Sequence, residues 1–266
     1  MENGDNSVAG NYFPKDICIV GTGKVSLHLI KSLSSHFNLY IVGRNEIKAK
    51  KYAGIASNKN IGFGTLNDIP TNFDVYIIAV SDDAIKYVSD LLPTNKIIVH
   101  TSGASGLDVL ISKHKGVLYP LYTFSERDEI DFRKVPIFIE GSNNMVINIL
   151  RMIAEVLSPQ VYVINSEMRC KLHAAAVISC NFINYLFSIS YELMEKSPME
   201  FNLLRELVDK TVEKAFSIRE NPILSQTGPA VRNDVLTIRK HLELLDNEHR
   251  EVYKCLTDKI IEKINK

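Results

Sequence analysis

The amino-acid sequence predicts an α/β protein in which a doubly wound parallel sheet is followed by an all-α C-terminal domain. Three patterns predict it. Short apolar runs of buried-strand type alternate with helix-period segments over the first 164 residues. A Gly-x-Gly turn joins the first of those runs to the first helix pattern, in the stretch CIVGTGKVSLHLI. From residue 165 strand signals stop and helical periodicity runs to the C-terminus.

Residues 17–20, 39–42, 75–80 and 97–100 read as strands, with helix patterns at 25–33, 47–56 and 84–92 between them. Repeated β-α-β units imply parallel strands joined by right-handed crossovers. A weak strand around 60–64 precedes the turn-rich NDIPTNFD. Beyond Gly103 the pattern predicts a short helix at 107–114, strands in VLYPLY and VPIFIEG, a helix at 145–157 and a last strand in VYVI. Helices at 168–195, 201–216, 231–245 and 248–264 follow. The chain therefore divides into a loose tail at 1–15, an α/β domain at 16–164 and a helical domain at 165–266.

Lys plus Arg and Asp plus Glu both number 31, so bulk charge favours neither nucleic acid nor an anionic membrane as partner. Cys18, Cys170, Cys180 and Cys255 lack metal-ligand spacing; they read as reduced thiols of a cytoplasmic protein with no metal site. Residues 1–16 are polar and have no apolar core of the signal-peptide kind. Residues 174–191 carry no charge over a length at which a membrane span becomes possible. Ser179, Asn181, Asn184, Ser188 and Ser190 would be penalised in lipid, so this stretch is expected to be buried in protein, with no membrane involved.

In a Rossmann dinucleotide fold the first glycine of the turn allows the tight bend and the second lets backbone approach the pyrophosphate. Gly21 and Gly23 suit those roles, and Ser26 is small enough for the third, where helix meets strand. The backbone of Gly21, Thr22, Gly23, Lys24 and Val25 would then meet the phosphates at a helix N-terminus. The other reading is a plain tight turn with no ligand. The second strand argues for the ligand and for its type. Where an NAD-binding fold presents Asp or Glu, this chain has Arg44, followed by Asn45. A guanidinium suits a 2′-phosphate, Asn45 can cap the next helix and Lys48 adds positive charge, so NADP is the expected cofactor. The alternative for Arg44 is an ordinary surface arginine. Val80 and Ser81, ending the fourth strand, would lie along the dinucleotide, and Asp82 reads as a helix cap.

Several stretches together resemble one family of proteins assigned as NADP oxidoreductases: the turn itself, IIAVSDDAI, VHTSGASGL, YPLYTF, KLHAAAVISCNFINYL and TGPAVRNDVLTIRKHLELL. The resemblance runs from about Asp16 to the C-terminus and extends, more distantly, to deazaflavin-dependent NADP reductases, pyrroline-carboxylate reductases and ketopantoate reductases. It implies a Rossmann-like domain joined to a helical domain of unassigned function, NADP as cofactor and a homodimer formed through the helical domain. It implies no particular substrate. The chain departs from the family at one point: where that pattern often has His-Pro-Leu, this chain has Tyr119-Pro120-Leu121. If that histidine were a general acid, Tyr119 or another donor would have to replace it here.

Rotating about 100° per residue along 173–188 places His173, Val177, Asn181, Asn184 and Ser188 in one narrow wedge of an otherwise apolar helix. Such a strip suggests the wall of a cleft. His173 is the expected proton donor, because imidazole titrates near working pH. Asn181 would orient the substrate or the carboxamide, and Asn184 would contact the substrate. The alternative is that these groups bond neighbouring helices or a dimer partner. Lys171, just outside the wedge, is a rival acid, since related dehydrogenases use a lysine on a comparable helix. In HTSGASG, Ser102 would contact cofactor or substrate and Gly103 permits close approach, whereas His100 reads as a strand-end histidine. Arg232 and Arg239, seven apart on one predicted helix face, would hold a substrate carboxylate, Arg232 foremost; Thr227 and Pro229 read as the start of that helix. The expected activity is hydride transfer between NADP(H) and a small carbonyl or imine compound. The alternative, of a different class, is a non-catalytic NADP-binding sensor or assembly protein.

Overall fold

The computed structural model describes residues 13–56 and 61–265. Most of the expected N-terminal tail, and the first residue of the weak strand at 60–64, lie outside the described residues. The elements of the first unit run β1 (Asp16–Val20), α1 (Lys24–Leu33), β2 (Asn38–Gly43), α2 (Glu46–Ala53), β3 (Gly62–Thr65), β4 (Val75–Ile78), α3 (Asp82–Asp90) and β5 (Ile97–His100). They continue as β6 (His114–Pro120), β7 (Ile137–Gly141), α4 (Asn144–Leu157), β8 (Val161–Val163) and α5 (Ser166–Ala176). The eight strands form one sheet in the order β3-β2-β1-β4-β5-β6-β7-β8. This is the doubly wound Rossmann order, extended by two strands.

The apolar runs form strands because both faces of the sheet are covered. Along β1, Ile17 and Ile19 enter a core with α1 and α4, while Cys18 and Val20 enter a second core with α3. Side chains of a strand alternate faces, so a continuous apolar run fills both cores. Burial pushes the Cys18 thiol far up, leaving it an inert neutral group in the second core.

Two expectations are corrected here. The sheet is not wholly parallel: β6 and β7 pair antiparallel, Tyr119 opposite Phe138 and Val117 opposite Glu140. The segment between them contains only a single 3₁₀ turn, Phe132–Lys134, with no helix to carry a crossover. The helix expected at 107–114 is a 3₁₀ turn, Leu107–Val109, after which the chain enters β6 at His114. There the backbone is claimed by strand pairing with β5, and Ser112 Oγ secures the entry by donating to the Thr94 carbonyl at 3.1 Å and accepting from the His114 amide at 3.0 Å.

The chain divides by its contacts into two compact units, Met1–Ala175 and Ala176–Lys266, a cut later than the end of the last strand because α5 belongs to the first unit. The second unit contains a π-helical segment (Val177–Phe182), α6 (Ile183–Glu195), α7 (Arg205–Ser217), α8 (Val235–Leu244) and α9 (Asn247–Ile264). Helix α8 starts four residues later than expected. Gly228 (φ 106°) and Asn233 (φ 50°) take left-handed backbone that a helix excludes, and Asp234 caps the helix by accepting from the Thr237 amide at 3.1 Å. Thr227 and Pro229 therefore do not begin a helix.

Among the described residues of the second unit only Ala230 and Thr257 are buried. The uncharged stretch expected to be buried is instead exposed in the single chain, with Ile178 at 60% and Phe182 at 58%. Ser166–Glu195 is the one span, among the described residues, long and apolar enough by length and composition to cross a membrane.

Candidate cofactor and proton-transfer site

The first unit holds a cavity of about 700 Å³ at the C-terminal edge of the central strands, within the range of ligand sites. The β1–α1 turn forms its floor. Gly21 has φ 133°, open to glycine alone, and any Cβ there would collide with the Ala79 carbonyl of the neighbouring strand end. Ser26 takes the third position without penalty: it is fully buried and its hydroxyl donates to the same Ala79 carbonyl at 3.2 Å. The substitution of serine for glycine thus preserves the close crossing of helix and strand.

Helix α1 begins at this cavity with no side-chain cap on Gly23 and no acidic residue in its first turn. Its first amides are orphaned donors, and the helix dipole adds positive potential there. The other side of the cavity carries Arg44, Asn45 and Lys48. Asn45 caps α2, accepting from the Lys48 amide at 3.1 Å, which leaves the exposed Arg44 side chain at the end of β2. Uncapped amides at one end and a guanidinium with an ammonium at the other fit a pyrophosphate and a 2′-phosphate. Val80 and Ser81 line the same cavity. Asp82 is the first residue of α3, not its cap; Ser81 holds the cap position without a side-chain bond, so the carboxylate acts through the dipole.

From β5 the chain passes Thr101, which lines the cavity, to Gly103, which faces a second feature. Tyr119 Oη and His173 Nδ1 are hydrogen-bonded at 3.0 Å, their rings edge to face. Gly103 lies against both: an added Cβ would sit 2.6 Å from His173 Nδ1 and 2.8 Å from Tyr119 Cζ. The glycine's close approach is therefore to this pair. Burial pushes the Tyr119 phenol up, while the Arg169 guanidinium draws it down. It keeps its proton at neutral pH and is competent as a donor.

Ser102 does not line the cavity. Its hydroxyl accepts from the amides of Ala104 (3.1 Å) and Ser105 (2.9 Å), shaping the loop. His100 is a structural residue. Burial lowers its pKa to about 4, and the neutral ring accepts from the Ser102 amide at Nδ1 (3.1 Å) and meets the Gly106 carbonyl at Nε2 (3.2 Å). Lys171 is exposed and paired with Glu167 at 2.6 Å. Asn181, Asn184 and Ser188 belong to the second unit and are exposed, and Ser188 donates to Glu192 at 3.3 Å. The π-helical segment interrupts the 3.6-residue spacing on which their shared wedge with His173 rested. Arg232 precedes α8 while Arg239 lies within it, so the two share no helix face. Sequence reasoning missed Leu66 and Tyr87 in the cavity wall, positions outside any motif, and Thr101, which stands in HTSGASG beside the residues singled out there. Among the described residues no cluster of three or more His, Cys, Asp or Glu side chains could hold a metal ion.

Fold and cavity define a Rossmann-type dinucleotide-binding unit followed by a C-terminal helical unit. Over 94% of its length, and 98% of the other, the chain is 31% identical to the "putative NADP oxidoreductase" of Bacteroides fragilis, with a TM-score of 0.84. It belongs to that family of NADP oxidoreductases. The profile of a domain of unknown function (DUF2520) matches residues 135–260. In fold the chain is also similar to an imine reductase from Myxococcus stipitatus in complex with NADP⁺ (15% identity, 94% and 93% of the two chains, TM-score 0.65). The same holds for a 1-pyrroline-5-carboxylate reductase from Streptococcus pyogenes (17%, 94% and 97%, 0.63). A comparison with curated protein sequences finds no match.

Proposed function

We propose that this NADP oxidoreductase reduces a small carbonyl or imine compound, with Tyr119 and His173 acting as one proton-transfer unit. The observation that carries the reading is the Tyr119–His173 hydrogen bond beside Gly103, two residues along the loop from the cavity-lining Thr101.

The nicotinamide, when bound, supplies the hydride. The chain's own residues do the rest. The α1 amides and Arg44 would hold the dinucleotide's phosphates, and Thr101, Val80 and Ser81 line the same cavity. Reduction of C=O or C=N delivers the hydride to carbon and requires one proton on oxygen or nitrogen. Tyr119 Oη donates that proton, and His173, in contact with the same oxygen, returns one from Nδ1 while its Nε2 takes up a proton from solvent. Absence of a histidine at position 119 is thus met by the His173 imidazole brought against the tyrosine from α5.

The working form is a homodimer built through the helical unit. Its support is the scarcity of buried residues in that unit, together with exposed Ile178, Phe182 and Tyr185 on consecutive turns. NADPH consumption in a panel of ketones, aldehydes, keto acids and cyclic imines tests the activity. Turnover that disappears in His173→Ala while NADPH binding persists supports it; binding without turnover on any compound favours the sensor reading.

A further inference from the structure

We infer that Arg169, with Glu140, is a positioning residue for the Tyr119–His173 pair: a buried clamp that sets the register of α5 and of the Ser102–Gly106 loop against the sheet. The inference rests on the reading that this pair moves the proton.

Arg169 is fully buried, and three elements meet on its guanidinium. Nη1 donates to Glu140 Oε2 on β7, and Nη2 donates to the Ser105 carbonyl in the loop after β5 and to Ser166 Oγ at the start of α5. Glu140 also accepts from the Ser166 amide at 3.0 Å and from its hydroxyl at 2.9 Å. Arg169 Nε is buried with no hydrogen-bond partner, so the fork is held by its two outer nitrogens alone. Withdrawing a full charge from water is costly, and an apolar pair would dock the helix at least as well. What the apolar pair lacks is direction. A planar fork that meets a carboxylate on one side and a loop carbonyl on the other tolerates one height of the helix only.

The spacing explains why that height matters. Tyr119 lies opposite Phe138, and Glu140 is two residues further along β7 on the same face. Two strand residues advance about 6.8 Å. Arg169 and His173 are four apart on α5, an advance of about 6 Å. The Glu140–Arg169 contact and the Tyr119–His173 contact are therefore successive rungs between the same sheet face and the same helix. The charge of Arg169 bears on the pair as well, since it opposes the upward push of burial on Tyr119. The charged or titratable groups that act on that phenol are His173 and Arg169 from α5 and Asp82 from α3, with Glu140 of β7 paired to Arg169.

The test uses the full chain in three variants: Arg169→Met, Arg169→Lys and the pair-replacing Glu140→Leu/Arg169→Met. The last removes both charges together and leaves neither uncompensated, so it keeps the fold where the single apolar variant does not. The readouts are NADPH affinity, kcat and KM, and the ¹⁵N resonance of His173 Nδ1, assigned with His173→Ala. The expected result is unchanged NADPH affinity, a displaced Nδ1 resonance reporting loss of the bond to Tyr119, and kcat lower by about a hundredfold. Arg169→Lys, which keeps the charge but cannot reach both acceptors, falls between. An unaltered His173 resonance with unaltered kcat in the double variant overturns the inference. If the wild-type protein turns over no compound in the panel, that failure falls on the proposed activity, and the His173 resonance still decides the clamp.

Discussion

Tyr119 Oη stands 3.0 Å from His173 Nδ1 although the two residues are 54 positions apart, one on β6 and the other on α5. Under the proposed function the two act in series, Tyr119 Oη delivering the proton and His173 Nδ1 restoring it. Their effects should not add. Tyr119→Phe and His173→Ala are each expected to lower kcat by about 10²–10⁴-fold, and the double variant to be no worse than the poorer single one. Steady-state kinetics on the four proteins checks this; additive losses would mean two independent roles.

Gly103 tests the same contact from the backbone. A methyl group there meets His173 and Tyr119 within 2.8 Å, so one ring must move. Gly103→Ala should cost about a hundredfold in turnover with NADPH affinity retained. Wild-type kcat in this variant would show that the pair's geometry is not used.

Arg44 is expected to select the cofactor. Losing a charge-assisted bond of about 1.5–3 kcal/mol, Arg44→Ala should bind NADPH about ten- to a hundredfold more weakly and NADH as before. Titration of each nucleotide by calorimetry reads the difference. Equal weakening for both would place Arg44 away from the 2′-phosphate.

His100 gives a pH dependence with a definite sign. Its folded pKa, about 4, lies below the ordinary 6.5 because burial disfavours the cation. The unfolded chain therefore binds the extra proton first. The stabilisation is complete above about pH 6.5 and is lost as pH falls toward 4, on the order of 2–3 kcal/mol at the end of that window. His100→Asn should flatten the fall in Tm between those pH values.

Much of the fold was legible because a sheet covered on both faces demands continuous apolar runs, and Ile17–Val20, Val75–Ile78 and Ile97–His100 are such runs. The antiparallel β6–β7 pair was not, since local pattern carries no strand direction. Helix period misled at 107–114, where a short segment had to yield to strand pairing and the Ser112 bonds. It misled again beyond Ala176, because a π-helical turn shifts every later side chain while leaving composition unchanged. Gly21, Arg44 and Asn45 could be read from motif and spacing. Tyr119 and His173 could each be singled out, but their contact depends on how α5 seats on the sheet. Arg169 passed unnoticed, as a lone arginine on a helix reads as surface; its signal was position, four residues before His173 on the same side.

The most direct test of the account is single-turnover oxidation of bound NADPH by a cyclic imine or ketone, comparing wild type with His173→Ala and Tyr119→Phe. The account predicts rapid loss of NADPH absorbance in the wild type and a slow or absent phase in both variants at equal cofactor occupancy. Equal rates in all three proteins would contradict it.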